Sequence, residues 1–119
     1  MLTLKLTGAD SSEQMAINRK VGKLGEEFAK DHYRRNGFYT LNTQPGMFFD
    51  FLAVKLDLKN WKLRSVFVEV KVGDAQLSRR QRWFKSWCKR AKQEFDEYRI
   101  PRKHLEYLME YKIGGGDLD

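Results

Sequence analysis

The sequence predicts an α/β domain built on a central sheet, and three observations carry that expectation. Two stretches, 11–36 and 78–98, repeat apolar residues at helical spacing. Three stretches between them, 38–43, 48–56 and 63–72, are rich in β-branched and aromatic residues. The 119 residues suit a single hydrophobic core, and no repeat or linker divides them.

Each element has its own signals. Met1 to Gly8 alternates Leu2, Leu4 and Leu6 with polar residues, so residues 1–10 read as a strand or an ordered arm. Ser11 or Ser12 can cap the first helix, which buries Ile17, Val21, Leu24 and Phe28 and stops at Asn36-Gly37. Phe38–Thr43 is a strand, followed by a turn at Gln44-Pro45-Gly46. Phe48–Leu56 and Leu63–Val72 form a hairpin around Lys59-Asn60. Ser78 with Gln81 three residues on is a capping-box pattern at the start of the second helix. Its apolar stripe is Phe84, Trp87, Cys88, Ala91, Phe95 and Tyr98. Pro101 marks a break, His104–Ile113 is read as the last strand, and residues 114–119 as a flexible tail. The order is α-β-β-β-α-β within one domain, 1–119.

Composition narrows the chemistry. Twenty-three Lys and Arg against sixteen Asp and Glu give +7. The excess sits in one place: Ser78–Gln93 holds Arg79, Arg80, Arg82, Lys85, Lys89, Arg90 and Lys92 and no acid, while the rest of the chain is balanced. A solvated helix face would explain the run. Contact with nucleic acid explains it better, because Trp83 stands among the arginines. No stretch approaches the roughly 20 apolar residues of a membrane span, and Met1–Ser12 has no apolar block of signal-peptide length. A cytoplasmic protein with no membrane partner is expected. The single cysteine, Cys88, reads as core and excludes an internal disulfide. With only His32 and His104, a histidine metal cage is not expected, and His32 reads as structural on a buried helix edge.

Three charges stand where a strand should be buried. In Leu63–Val72 the odd positions Phe67, Glu69 and Lys71 share one face and Val66, Val68, Val70 and Val72 the other. Both faces are apolar near the middle, as in a central strand covered on both sides. Folding the hairpin with Lys59 and Asn60 as turn residues puts Asp50 directly opposite Glu69 and Leu52 opposite Phe67. Facing like charges repel, and a divalent cation between them turns repulsion into ligation. The alternative is a buried salt bridge of Lys71 with Glu69 or Asp50. Glu26 lies at the edge of the first helix's apolar stripe, where an exposed Glu26–Lys30 pair is the competing reading. Gly22 and Gly25 weaken that helix, which suggests close approach of a sheet or a phosphate backbone.

Gly22-Lys23-Leu24-Gly25-Glu26-Glu27, then Asp50, Glu69-Val70-Lys71 and Leu77-Ser78-Arg79-Arg80-Gln81, together resemble the PD-(D/E)XK nuclease superfamily. The pattern is most similar to VRR-NUC-type nucleases and archaeal Holliday-junction resolvases, over roughly Val21–Trp87. Phe49 stands where the motif's name puts proline. The resemblance implies a restriction-endonuclease-like core, a central mixed sheet flanked by helices. It implies a Mg²⁺- or Mn²⁺-dependent endonuclease that hydrolyses DNA phosphodiesters in branched substrates such as Holliday junctions, in repair or recombination. Asp50 and Glu69, with the Val70 carbonyl, would hold the ion, and Glu26 would join through water. Lys71 would position or deprotonate the attacking water. Gln81 would point at the site, although its capping role also accounts for it. Arg79, Arg80, Arg82, Lys85, Lys89 and Arg90 would grip DNA. Resolvase-like members act as homodimers, for which Trp61, Trp83 and the Met1–Gly8 arm are interface candidates. A single-strand or flap-specific nuclease of the same fold, and a catalytically silent DNA-binding module, stay open as alternatives.

Overall fold

The computed structural model describes residues 11–44, 46–104 and 106. Helix α1, Ser11–Arg35, is followed by strands β1 (Tyr39–Asn42), β2 (Phe51–Asp57) and β3 (Lys62–Val72), helix α2 (Arg79–Arg90) and strand β4 (Glu94–Ile100). The strands form one mixed sheet in the order β1-β2-β3-β4. β1, β2 and β3 run antiparallel in succession, whereas β4 lies parallel to β3. That parallel pairing requires a crossover, and α2 supplies it. Among the described residues no helix is long and apolar enough to cross a membrane. The expected strand-or-arm at 1–10 and tail at 114–119 lie outside the described residues.

Helix α1 closes on Gly37, whose φ of 88° only glycine adopts without strain. The Phe38 N–H bonds the Tyr33 carbonyl and the Gly37 N–H that of Arg34, so the helix ends in a Schellman motif that turns the chain into β1. The apolar stripe of α1 packs on one face of the sheet. Ala29 meets Phe38, Phe51, Ala53, Val66 and Val68, and Val21 meets Ile100 with Ile17, Leu24 and Phe28 around them. Gly25 explains its own presence. A Cβ there would stand 3.3 Å from Val72 and 3.5 Å from Ile100, so its absence lets α1 lie against β3 and β4. Gly22 has nothing within 4 Å and is exposed, so the sheet does not require it.

The hairpin register is the expected one, with Phe51 opposite Val68, Leu52 opposite Phe67 and Asp57 opposite Lys62. Its loop has four residues, 58–61, rather than two. The Asp57 carboxylate stabilises it by accepting from Lys59 N, Asn60 N and Asn60 Nδ2.

One expectation about the C-terminal half is corrected. Helix α2 ends at Arg90, and Phe95 and Tyr98 belong to β4 instead. Among the described residues the strand that follows α2 is therefore 94–100, and residues 102–104 are helical where the expected His104–Ile113 strand would begin. Phe95 and Tyr98 sit at helical spacing from Cys88 and Ala91, which hid the boundary. The stop comes at Lys92, whose φ of 58° is left-handed without the glycine that usually signals it. Residues from 107 onward, with most of the expected strand, lie outside the described residues.

Among the described residues, α2 covers only half of the second face of the sheet. Phe84 of α2 packs on Phe67 of β3 and Phe95 of β4. Over β1 and β2 the same face carries Tyr39, Leu41, Leu52, Val54 and Leu56, with Leu63 beside them on β3. Tyr39, Leu41, Leu56 and Leu63 are exposed, and no charged residue stands among these six.

Candidate active site

The chemistry-bearing residues gather at the end of the sheet where β3 finishes and β2 begins. Glu69 is 4% exposed and faces α2. Its Oε2 accepts from Gln81 Nε2 at 2.8 Å, and Lys71 Nζ lies 3.5 Å from the same oxygen. Gln81 bonds in two directions. Its amide nitrogen holds Glu69, while its Oε1 accepts from the Ser78 N–H at 2.8 Å and closes the capping box with Ser78 Oγ. The cap thus fixes the rotamer that delivers the amide to the carboxylate.

Asp50 stands one residue beyond the regular ladder. Its N–H bonds the Val68 carbonyl at 2.8 Å, and its carboxylate takes the Val70 N–H at 2.8 Å in place of a backbone partner. Thr43 Oγ donates to the Asp50 carbonyl and helps hold this bend. The expected register therefore persists to Phe51 but not to a regular Asp50–Glu69 pair. The departure sets the Asp50 carboxylate at the strand end, in electrostatic reach of Glu69 and of Glu26 and Lys30 on α1.

Burial acts on both carboxyls. It pushes Glu69 up to about 7, and the Asp50 charge adds to the rise against Lys71 and Gln81. Burial also raises Asp50, opposed by the Val70 N–H bond and reinforced by Glu26. Two desolvated carboxyls raised together form a site that favours added positive charge.

Sequence reasoning missed two contributors. Lys30 is 4% exposed, pairs with Glu26 at 3.2 Å and lies 5.9 Å from the centre of the Phe51 ring. The Glu26–Lys30 pair exists, but Lys30 is buried beneath it rather than exposed. Spacing alone revealed the pair; only packing of α1 on β2 revealed the burial. Arg99 is the second. Its guanidinium donates to the Gly73 and Ala75 carbonyls and to Glu97, tying β4 to the loop that leads into α2.

The basic residues of α2 do not act alike. Arg82 donates to the Leu77 carbonyl and Lys85 pairs with Glu97 at 3.0 Å, so both serve the fold. Arg79, Lys89 and Arg90 are exposed, and the Arg80 guanidinium lies over the Phe48 ring. Cys88 is buried, as expected, whereas Trp87 is 43% exposed rather than core. His32 is also exposed, with its ring 5.4 Å from that of Tyr98, not on a buried edge.

The chain was compared with protein families, curated proteins and solved structures. None matches.

A metal ion has to be tested against the donors present. Among the described residues no three His, Cys, Asp or Glu side chains form a metal-holding group. The set at hand is two carboxylates and the Val70 carbonyl, all hard oxygens. That set does not suit a closed zinc site, but it fits Mg²⁺ or Mn²⁺, which keep several waters and take one or two carboxylates.

Proposed function

We propose that this chain is a metal-dependent endonuclease of the PD-(D/E)XK type that hydrolyses DNA phosphodiesters in branched or otherwise structured substrates. The observation that carries the reading is the pair of desolvated carboxyls, Asp50 and Glu69, with Lys71 3.5 Å from Glu69 at the end of β3. The order α-β-β-β-α-β and the parallel β3–β4 pairing support a restriction-endonuclease-like core.

Asp50, Glu69 and the Val70 carbonyl would hold Mg²⁺ or Mn²⁺. When bound, the ion supplies Lewis acidity toward a phosphoryl oxygen and acidifies a bound water. The chain's own residues do the rest. Lys71 positions the attacking water and offsets charge that develops on the phosphate. Gln81 keeps Glu69 in one orientation, and Lys30 balances Glu26 so that the site is not overloaded with negative charge. The exposed Arg79, Lys89 and Arg90 meet the phosphate backbone, a sequence-independent contact suited to a domain this small. For the homodimer, the charge-free face of β1 and β2 is the surface we assign.

The test is incubation with Mg²⁺ or Mn²⁺ and labelled four-way junction, flap, duplex, single-stranded DNA and RNA. Asp50→Ala and Lys71→Ala are each expected to reduce cleavage by about 10²-fold or more. Cleavage that survives either substitution, or excess chelator, would sink the mechanism. Retained binding with no cleavage in the unaltered chain would select the silent DNA-binding module instead.

A further inference from the structure

Helix α2 is held to the sheet by Phe84 and Cys88, its two buried residues. That anchoring turns the neighbouring side outward. Trp83 and Trp87, four residues apart and so adjacent on the helix surface, are 56% and 43% exposed. They are not isolated indoles. Trp87 lies nearly parallel to Phe84, with 16° between the planes and centroids 5.8 Å apart. Phe84 lies nearly parallel to Phe48, at 15° and 5.4 Å, and Trp83 rests 6.0 Å from Phe48. The Arg80 guanidinium caps that Phe48 ring at 4.9 Å. The outer surface of α2 therefore reads Arg79 and Arg80, then Trp83, then Trp87, then Arg90, over about 15 Å of helix.

We propose that this stripe binds unpaired nucleobases, with the indoles as stacking platforms and the flanking arginines on phosphates. The inference deepens the nuclease reading by naming single-stranded segments of the substrate as what the site engages, and it rests on that reading only for the cutting.

Three considerations select this occupant. Aromatic faces between cations match a strand that presents alternating bases and phosphates, and no acid stands anywhere in 78–93 to repel it. A second copy of the chain fits poorly, because two-fold pairing of this surface would bring arginines against arginines. The charge-free face of β1 and β2 is free of that repulsion. A membrane fits poorly too: α2 contains no Leu, Ile, Val or Met, so two indoles are the apolar part of this stripe.

Position strengthens the case. Phe48, against which the Trp83 ring and the Arg80 guanidinium both pack, lies two residues before Asp50 in the chain.

The experiment uses the full chain in excess chelator, so that binding is measured without cleavage. A fluorescent oligo(dT) and a duplex of equal length are titrated at several salt concentrations. Trp83→Leu and Trp87→Leu, which keep apolar bulk but lose the stacking face, should each weaken oligo(dT) binding about five- to hundredfold. Duplex affinity should change by less than about twofold, and the salt slope should stay as it was. Arg79→Gln with Arg90→Gln should flatten the slope for both ligands. Equal weakening for duplex, or unchanged oligo(dT) affinity in both Leu variants, overturns the proposal. So does a result in which the indoles govern self-association or binding to anionic phospholipid vesicles instead. The two readings separate cleanly. Indole-dependent oligo(dT) binding by a chain that never cuts removes the nuclease reading alone, while metal-dependent cutting indifferent to both indoles removes this one alone.

Discussion

Glu69 shows how much a single carboxyl can report. Its ordinary value of 4.5 is raised to about 7 by burial and by Asp50. Between those values the folded chain keeps a proton that the unfolded chain gives up. The folded state is therefore favoured at the acid end, and that contribution is lost as pH climbs through 7. The metal-free protein should melt at progressively lower temperature from pH 5 to pH 8, and Glu69→Gln should remove much of that slope. An identical slope in the variant, measured by circular dichroism, would place the burial elsewhere. Parity along β3 was enough to find Glu69 and Lys71, because period-two alternation survives any tertiary context. Spacing also marked Gln81 as a cap, but its second bond to Glu69 depends on where α2 docks. The burial of Lys30 was out of reach for the same reason: an i,i+4 pair looks alike whether water or Phe51 lies beneath it.

At the scale of elements, the two glycines of α1 separate into different causes. Gly25 is a contact with β3 and β4, and Gly25→Val should destabilise the fold by about 1–3 kcal/mol through overpacking. Gly22 faces open space, so Gly22→Ala should instead stabilise by about 0.5–1 kcal/mol. Chemical denaturation checks both signs. If Gly22→Ala also lowers DNA affinity while raising stability, a phosphate backbone is what needs that position bare. Strand β4 was the element that sequence patterning absorbed into the second helix. Its residues Glu94, Asp96, Glu97 and Arg99 carry charge onto both faces, where Arg64, Tyr33 and Lys85 meet three of them and Glu97 meets Arg99. Apolar alternation is erased when the partners of a strand are charged, and the surviving Phe95 and Tyr98 then mimic helical spacing. The hairpin was legible because its core residues are plain: Phe51, Ala53, Val66 and Val68 need no charged partner.

For the whole molecule, the uneven covering of the sheet matters most. Among the described residues, helix α1 seals one face, but α2 covers the other only over β3 and β4. Tyr39, Leu41, Leu56 and Leu63 are left exposed without a charge among them, in a chain one-third charged. That patch is the surface on which the proposed dimer contact rests. Sedimentation at micromolar concentration should find a dimer, and Leu56→Glu with Leu63→Glu should return it to monomer, with oligo(dT) binding by α2 retained. A monomer at all concentrations would remove the assigned contact.

The sequence by itself determined the alternation along each element, the hairpin register through Phe51, the capping box and the concentration of charge on α2, all local properties that hold in whatever the chain packs against. Tertiary structure alone decided that Lys30 is buried, that Arg82 and Lys85 serve the fold while Arg79 and Arg90 stay exposed, and that the indoles of α2 face outward. Burial and pairing are relations between elements distant in the chain. They come into being only when α1 and α2 settle on opposite faces of one sheet.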